Sequence, residues 1–149
     1  MAFEHSIVVT DAEGSQIALI VETVADGRGL ATSERQLKEF MAGMGAPVGL
    51  LVTPELLRLY RDEYLSESAD SIAEVGEFDV RGVLKSEANT GADPAAFERT
   101  VQSWLEGLSS ESSLRDLPLG LRRAAQMFLV PAILQGTVRA GQPRASLSV

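Results

Sequence analysis

SIVVTDAEGSQIALIVETV, Ser6 to Val24, holds two β-branched runs parted by Ala12-Glu13-Gly14-Ser15, the pattern of a β-hairpin. Ile17 to Val21 is apolar at nearly every position, so the second strand is expected to be covered on both faces. A bend at Glu13-Gly14 pairs residues whose numbers sum to about 27. Glu22 then falls opposite His5 and beside Ser6, while Asp11 pairs with Gln16. On that register Asp11 and Glu22 are on the order of 20 Å apart, at about 3.3 Å per residue, too far to share one ion.

Working outward, Gly27 and Gly29 mark a loop, and Ser33 with Gln36 forms a capping-box pattern. Leu37, Phe40, Met41 and Met44 follow at helical spacing and Gly45 closes the helix. Val48 to Val52 is a second buried strand, and a right-handed crossover through the helix makes it a parallel neighbour of the first. Thr53 to Leu65 reads two ways. Thr53 and Pro54 suit a helix start with Leu56, Leu57, Tyr60 and Tyr64 on one face; the alternation of Leu57 and Leu59 with Arg58 and Tyr60 suits a strand. Ser66 to Ser71 is a polar loop, and Glu77 to Leu84 alternates as an edge strand would.

Ser86 to Ala92 reads as a linker between an α/β core over residues 1–85 and a helical extension over 93–149, packed on the core or forming a dimer contact. Asp93-Pro94 starts a helix carrying Phe97, Val101, Trp104 and Leu108, with Trp104 expected in the core. Ser109 to Ser113 is a hinge. Leu119 to Leu134 is an apolar helix in which Pro131 predicts a kink or a stop near Val130. Met127 to Leu134 is apolar all round, so this chain's own sheet or a second copy must cover it. Gly136 to Val149 reads as a frayed end.

The 149 residues are 45% hydrophobic, enough to bury a core. The absence of cysteine excludes disulfides, thiolate metal sites and a cysteine nucleophile, and the single histidine, His5, excludes a multi-histidine zinc site. Met1 to His5 lacks the basic and apolar regions of a signal peptide, and the apolar runs are too short to span a bilayer, so a cytoplasmic location is expected. Residues 1–92 hold seven cations against sixteen anions, net −9, whereas residues 93–149 hold six against five, net +1. From Leu117 onward there are four arginines and no acid, the one plausible anion-facing segment. Four scattered cations in a chain of net charge −8 give a nucleic-acid partner no support. The glycines of DGRG and AGMG lack the lysine and hydroxyl of a phosphate loop, and aromatic residues, 5% of the chain, are too sparse for a base-stacking platform.

SIVVTDAEG (6–14), IALIVET (17–23), QLKEFMAGMG (36–45) and PVGLLVTPELLRLYR (47–61) together resemble the core of the restriction-endonuclease-like, PD-(D/E)xK superfamily. The likeness is to the N-terminal nuclease-like domain of type I restriction-enzyme R subunits and spans roughly the first sixty residues. It implies an α/β fold with a small mixed sheet of four or five strands, followed here by a C-terminal helical extension, and it favours a strand over 53–65. It also implies a helix and a strand before Ser6; they are expected to be missing, or replaced by the C-terminal helices or another subunit.

The resemblance further implies an aspartate and a glutamate holding Mg²⁺, with a lysine two residues after the glutamate. Glu22 matches the glutamate, the lysine position is Val24, and the hairpin register puts Ser6 at the aspartate position. The expectation is therefore a degraded nuclease, without cofactor, that acts as a binding or assembly module and forms a homo-oligomer through the C-terminal helices. The alternative is an active Mg²⁺-dependent endonuclease in which Glu22 takes His5 or Asp11 as second ligand and Lys38 replaces the lost lysine. Each has a plainer role: Glu22 as a partly buried acid, His5 as a surface histidine, Lys38 as a solvated helix lysine.

Overall fold

In this computed structural model the described residues are 6–11, 13–26, 28–84, 93–134 and 136–139. The expected linker at 86–92 lies outside them, as does His5. Six strands form one mixed sheet in the order β5-β4-β3-β2-β1-β6. The hairpin is β1 (Ser6–Asp11) and β2 (Ile17–Thr23), antiparallel; β3 (Val48–Val52) runs parallel to β2. β4 (Leu56–Asp62) and β5 (Ile72–Asp79) continue as antiparallel neighbours.

The segment with two readings is therefore a strand. Thr53 Oγ1 accepts from the amides of Glu55 and Leu56 as a helix cap would, but it closes a turn into β4. Leu57 and Leu59 bury themselves on one face of β4, and Tyr60 on the other. The edge strand begins five residues before the expected Glu77 and ends at Asp79.

α1 (Leu30–Met44) crosses one face of the sheet, with Leu37 and Met41 packed on Ile20, Leu51 and Tyr60. It starts earlier than the capping-box pattern suggests: Gly29 precedes it, and Ser33 is buried inside the helix rather than capping it. At Gly45 the end is as expected, its amide donating to the Met41 carbonyl oxygen. α1 comes down onto β3 at Gly49, where a Cβ atom would stand 2.4 Å from Met41 Sδ and 3.3 Å from Leu37 Cδ1.

The other face is covered by helices. α2 (Pro94–Gly107) is capped by Asp93 Oδ1, which accepts from the amides of Ala95 and Ala96. The short α3 (Glu111–Arg115) lies in the expected hinge. α4 (Leu119–Ala124), a π-helical turn (Ala125–Leu129) and α5 (Val130–Leu134) then run on as one continuous helix. The chain passes Pro131 without stopping, because the widened turn just before it, with Val130 N–H donating to Ala125 O, accommodates the proline. Leu117, Leu121, Ala125, Leu129 and Ile133 are buried at every fourth residue. An α-helix of 3.6 residues per turn would rotate such a stripe off the sheet by about 40° a step, and the wide turn corrects part of that drift.

Phe97, Val101, Leu105, Leu121 and Leu129 share one core with Ile7, Val9, Leu19, Val21, Leu50 and Val52 of the sheet. Trp104 packs at its margin. The end read as frayed contains β6 (Gly136–Arg139), antiparallel to β1. Gly136 starts it because the chain passes close under β1: a Cβ there would stand 2.0 Å from the Thr10 carbonyl oxygen. Among the described residues no helix is long and apolar enough to cross a membrane.

Candidate functional site

The pairing of β1 with β2 places Ser6 directly opposite Glu22. Thr10 pairs with Ile17, in keeping with a sum of 27, but an irregularity between Val9 and Thr10 shifts the rest of the ladder by one residue. Glu22 thereby moves from the position opposite His5 to the one opposite Ser6. Ser6 Oγ donates to Glu22 Oε1 at 2.8 Å, and both residues are 0% exposed. The burial follows from position: Glu22 is on an inner strand, between β1 and β3, on the face that α1 covers.

Glu22 belongs to a cross-strand row, Ser6–Glu22–Leu51–Arg58–Glu77, that runs through five strands on this face. Leu51 separates its two polar ends. At the far end Arg58 Nε donates to Glu77 Oε2 at 2.8 Å, and Arg58 Nη1 lies 3.5 Å from Glu34 Oε2. Glu34, on α1, also accepts from the Tyr60 hydroxyl and pairs with Lys38 at 3.8 Å. Burial, reinforced by the Glu34 carboxylate, pushes the Tyr60 phenol above the usual tyrosine range. The Glu77 carboxylate raises the Arg58 guanidinium further, against its partial burial.

Of the residues singled out from the sequence, the structure brings neither Asp11 nor Lys38, the two others that are described, to Glu22. Asp11 lies five positions along β1 from Ser6, about 17 Å at 3.3 Å per residue. It holds the hairpin turn instead: its carboxylate accepts from the Ser15 amide at 2.9 Å and the Ser15 hydroxyl at 3.0 Å. Desolvation is the largest single influence and opposes these bonds, but together with those from the Gln16 and Gly14 backbone they outweigh it and hold the carboxyl below the usual range. Its amide donates to the Gln16 carbonyl oxygen, as the register reading expects. Lys38 Nζ is engaged by Glu34 and lies 5.6 Å from the centre of the Tyr60 ring, over β4. His5, as stated, is outside the described residues. Val24, at the position where the resemblance asks for a lysine, is partly buried and packs against the core beneath α1.

Among the described residues the donor set does not fit Mg²⁺: a serine hydroxyl donating to a single carboxyl group is not the shell of hard anionic oxygens that ion needs. Among the described residues no group of three or more His, Cys, Asp or Glu side chains is placed to hold a metal.

The Glu34, Arg58, Tyr60 and Glu77 cluster escaped sequence reading. Its only local trace is the Glu34–Lys38 spacing of four, a common helix pair; the remainder needs the β4–β5 register and the placement of α1. A shallow cavity of about 420 Å³ opens beside it, lined by Glu34, Arg35, Lys38, Asp70 and Ile72. A second, of about 570 Å³, lies between α2 and α3 with Arg99, Trp104, Ser113 and Asp116 on its walls. In the segment read as anion-facing, Arg122 is occupied within the fold, its guanidinium donating to the carbonyl oxygens of Leu114, Arg115 and Leu117. No family model, curated protein or solved structure matches the chain.

Proposed function

We propose that this chain is a catalytically degraded relative of the PD-(D/E)xK nucleases, restriction-endonuclease-like in its first part and extended by C-terminal helices. In this reading it serves as a binding or assembly module, joining a second copy through its C-terminal segment. One observation carries it: the acid at the nuclease glutamate position is fully buried and its strand neighbour is a serine hydroxyl at 2.8 Å, not a second carboxylate. Three further facts support it. Val24 is an apolar packing residue, Lys38 is committed to Glu34, and Asp11 is committed to the hairpin turn. The order of antiparallel β1–β2, crossover helix α1 and parallel β3 suits the resemblance in chain topology.

The net charge of −8 argues against a polyanion as the partner. Exposed Met127 and Leu134 on the last helix are where an apolar contact with another chain would form. Calorimetric titration with Mg²⁺ alongside a plasmid-nicking assay tests the reading. Neither binding heat nor cleavage is expected; Mg²⁺-dependent nicking that disappears in Glu22→Ala overturns it.

A further inference from the structure

The two edges of the sheet are finished differently. β5 carries Glu74, Glu77 and Asp79, all exposed, and its pairing with β4 is broken by an irregularity at Leu59/Tyr60. Charges and bulges of this kind keep a strand edge from recruiting another strand. β6 has no bulge, and its one charged residue is a cation, Arg139. It is four residues long, Gly136-Thr137-Val138-Arg139, pairs regularly with β1, contains no acid, and among the described residues has no strand on its outer side. The helix that leads into it ends at Leu134, 64% exposed, and rests against both β1 and β6. Met127, 67% exposed, stands two turns earlier on the same helix.

An edge left open among the described residues presents main-chain donors and acceptors in a row, the template onto which another extended chain pairs. We infer that the occupant is β6 of a second copy, paired antiparallel about a twofold axis so that two six-stranded sheets become one. Charge supports a second copy at this edge rather than elsewhere. Residues 1–92 carry net −9 and repel their like, while residues 93–149 carry net +1, so copies of this acidic chain meet with least repulsion here. A twofold contact also uses one patch twice and closes, whereas pairing β6 onto the acid-bearing β5 edge would propagate as a filament. Four residues of strand bury far less than the roughly 800 Å² per partner of a standard interface, so the exposed apolar end of the helix has to share in the contact.

This inference rests on the assembly reading proposed above and adds its geometry. In a twofold antiparallel pair one residue faces its own copy, at a Cα separation of about 4.5 to 5.5 Å, within reach of a disulfide. The chain has no cysteine, so single-cysteine variants report cleanly. Thr137→Cys and Val138→Cys are oxidised, with Leu65→Cys, 79% exposed on the β4–β5 loop, as the control. Sedimentation equilibrium of the wild-type chain and of Leu134→Glu, an exposed position where folding is safe, is measured in parallel. The expected result is a disulfide dimer from Thr137→Cys or Val138→Cys but not from Leu65→Cys, with self-association weakened about tenfold or more by Leu134→Glu. A chain that dimerises without cross-linking at either position, or whose dimer ignores Leu134→Glu, overturns the β6 geometry and leaves assembly standing. A chain that stays monomeric overturns both.

Discussion

The two polar ends of the Ser6–Glu22–Leu51–Arg58–Glu77 row lie on the same face of one sheet, yet they solve the problem of charge in opposite ways. At the β4–β5 end two cations and two anions, Lys38, Arg58, Glu34 and Glu77, balance one another while partly exposed. At the β1–β2 end one carboxyl group is fully enclosed and met by a hydroxyl. Burying an ionised group without compensation is costly, and at the β4–β5 end the charges are compensated in pairs within reach of water. A metal-dependent nuclease needs the reverse, several anions enclosed together and compensated by a cation. In the proposed reading the β1–β2 end serves as core, while the β4–β5 end is a charge-balanced clasp between α1 and the sheet.

The largest expected effect comes from the ground between the two ends. Gly49 sits in the neighbouring row, and the approach of α1 there sets the height of the helix over both. Gly49→Val should destabilise the chain by about 2 to 3 kcal/mol through overpacking against Met41 and Leu37. Met41→Ala in the same chain should relieve part of that loss. Urea unfolding of the single and double variants measures both, and a Gly49→Val chain as stable as wild type would mean that α1 does not seal the face.

Ser6→Ala comes next. It removes the hydroxyl that donates to Glu22 Oε1 inside the core, and its expected cost is about 1 to 3 kcal/mol, again read by urea unfolding. Replacing Glu22 as well, in Ser6→Ala/Glu22→Leu, should recover much of the loss, because two apolar groups need no hydrogen bond. A double variant worse than either single one would show that Glu22 does more than fill core. The corresponding cut at the clasp, in a solvated network, is smaller.

How much of this was legible beforehand follows from the range of each interaction. The hairpin, the α1 stripe, the Asp93 cap and the crossover to β3 depend on residues a few positions apart, and the sequence pattern shows them. The nearness of Glu22 to Ser6 was also readable, because a short turn limits the register; the shift at Val9/Thr10 changed it by only one residue. β6 was not legible, since four residues opened by a glycine carry no alternation and owe their extended form to the β1 edge. The clasp was hidden for a different reason. Its members come from α1, β4 and β5, and no local pattern states that Tyr60 will lie under Glu34. The helix passing through Pro131 shows the remaining limit, where a spacing of four between buried residues outweighs the local preference for a break.

Tyr60→Phe sharpens the contrast by pH. It deletes the hydroxyl that donates to Glu34, at an expected cost of about 1 kcal/mol near neutrality. Because the folded chain holds the phenolic proton more tightly than the unfolded one, that contribution is complete below the ordinary tyrosine range, near pH 10, and is lost as pH rises above it. Wild-type stability should therefore fall on the alkaline side, and the Tyr60 share of phenolate absorbance should emerge late, together with unfolding. In Tyr60→Phe that absorbance step is missing and the alkaline loss is reduced. A Tyr60 phenolate forming in the intact fold at the ordinary pH would break the clasp.

The smallest effect separates the two ends most directly. Lys38 is bound to Glu34 at helical spacing, with the glutamate on the N-terminal side, the favourable order for such a pair. Partly exposed pairs of this kind contribute about 0.5 kcal/mol at low salt, and Lys38 adds a contact with the Tyr60 ring. Lys38→Ala should accordingly cost about 0.5 to 1 kcal/mol in dilute buffer and less in about 1 M salt, where the Debye length shrinks to about 3 Å. If Lys38 served Glu22 instead, its removal would couple to Ser6→Ala in a double-mutant cycle. Glu22 and Arg58 are two strands apart, about 10 Å, with Leu51 between them, so the cycle should close within about 0.5 kcal/mol. A coupling well above that would join what the row keeps separate, with Lys38 then acting on the enclosed carboxyl.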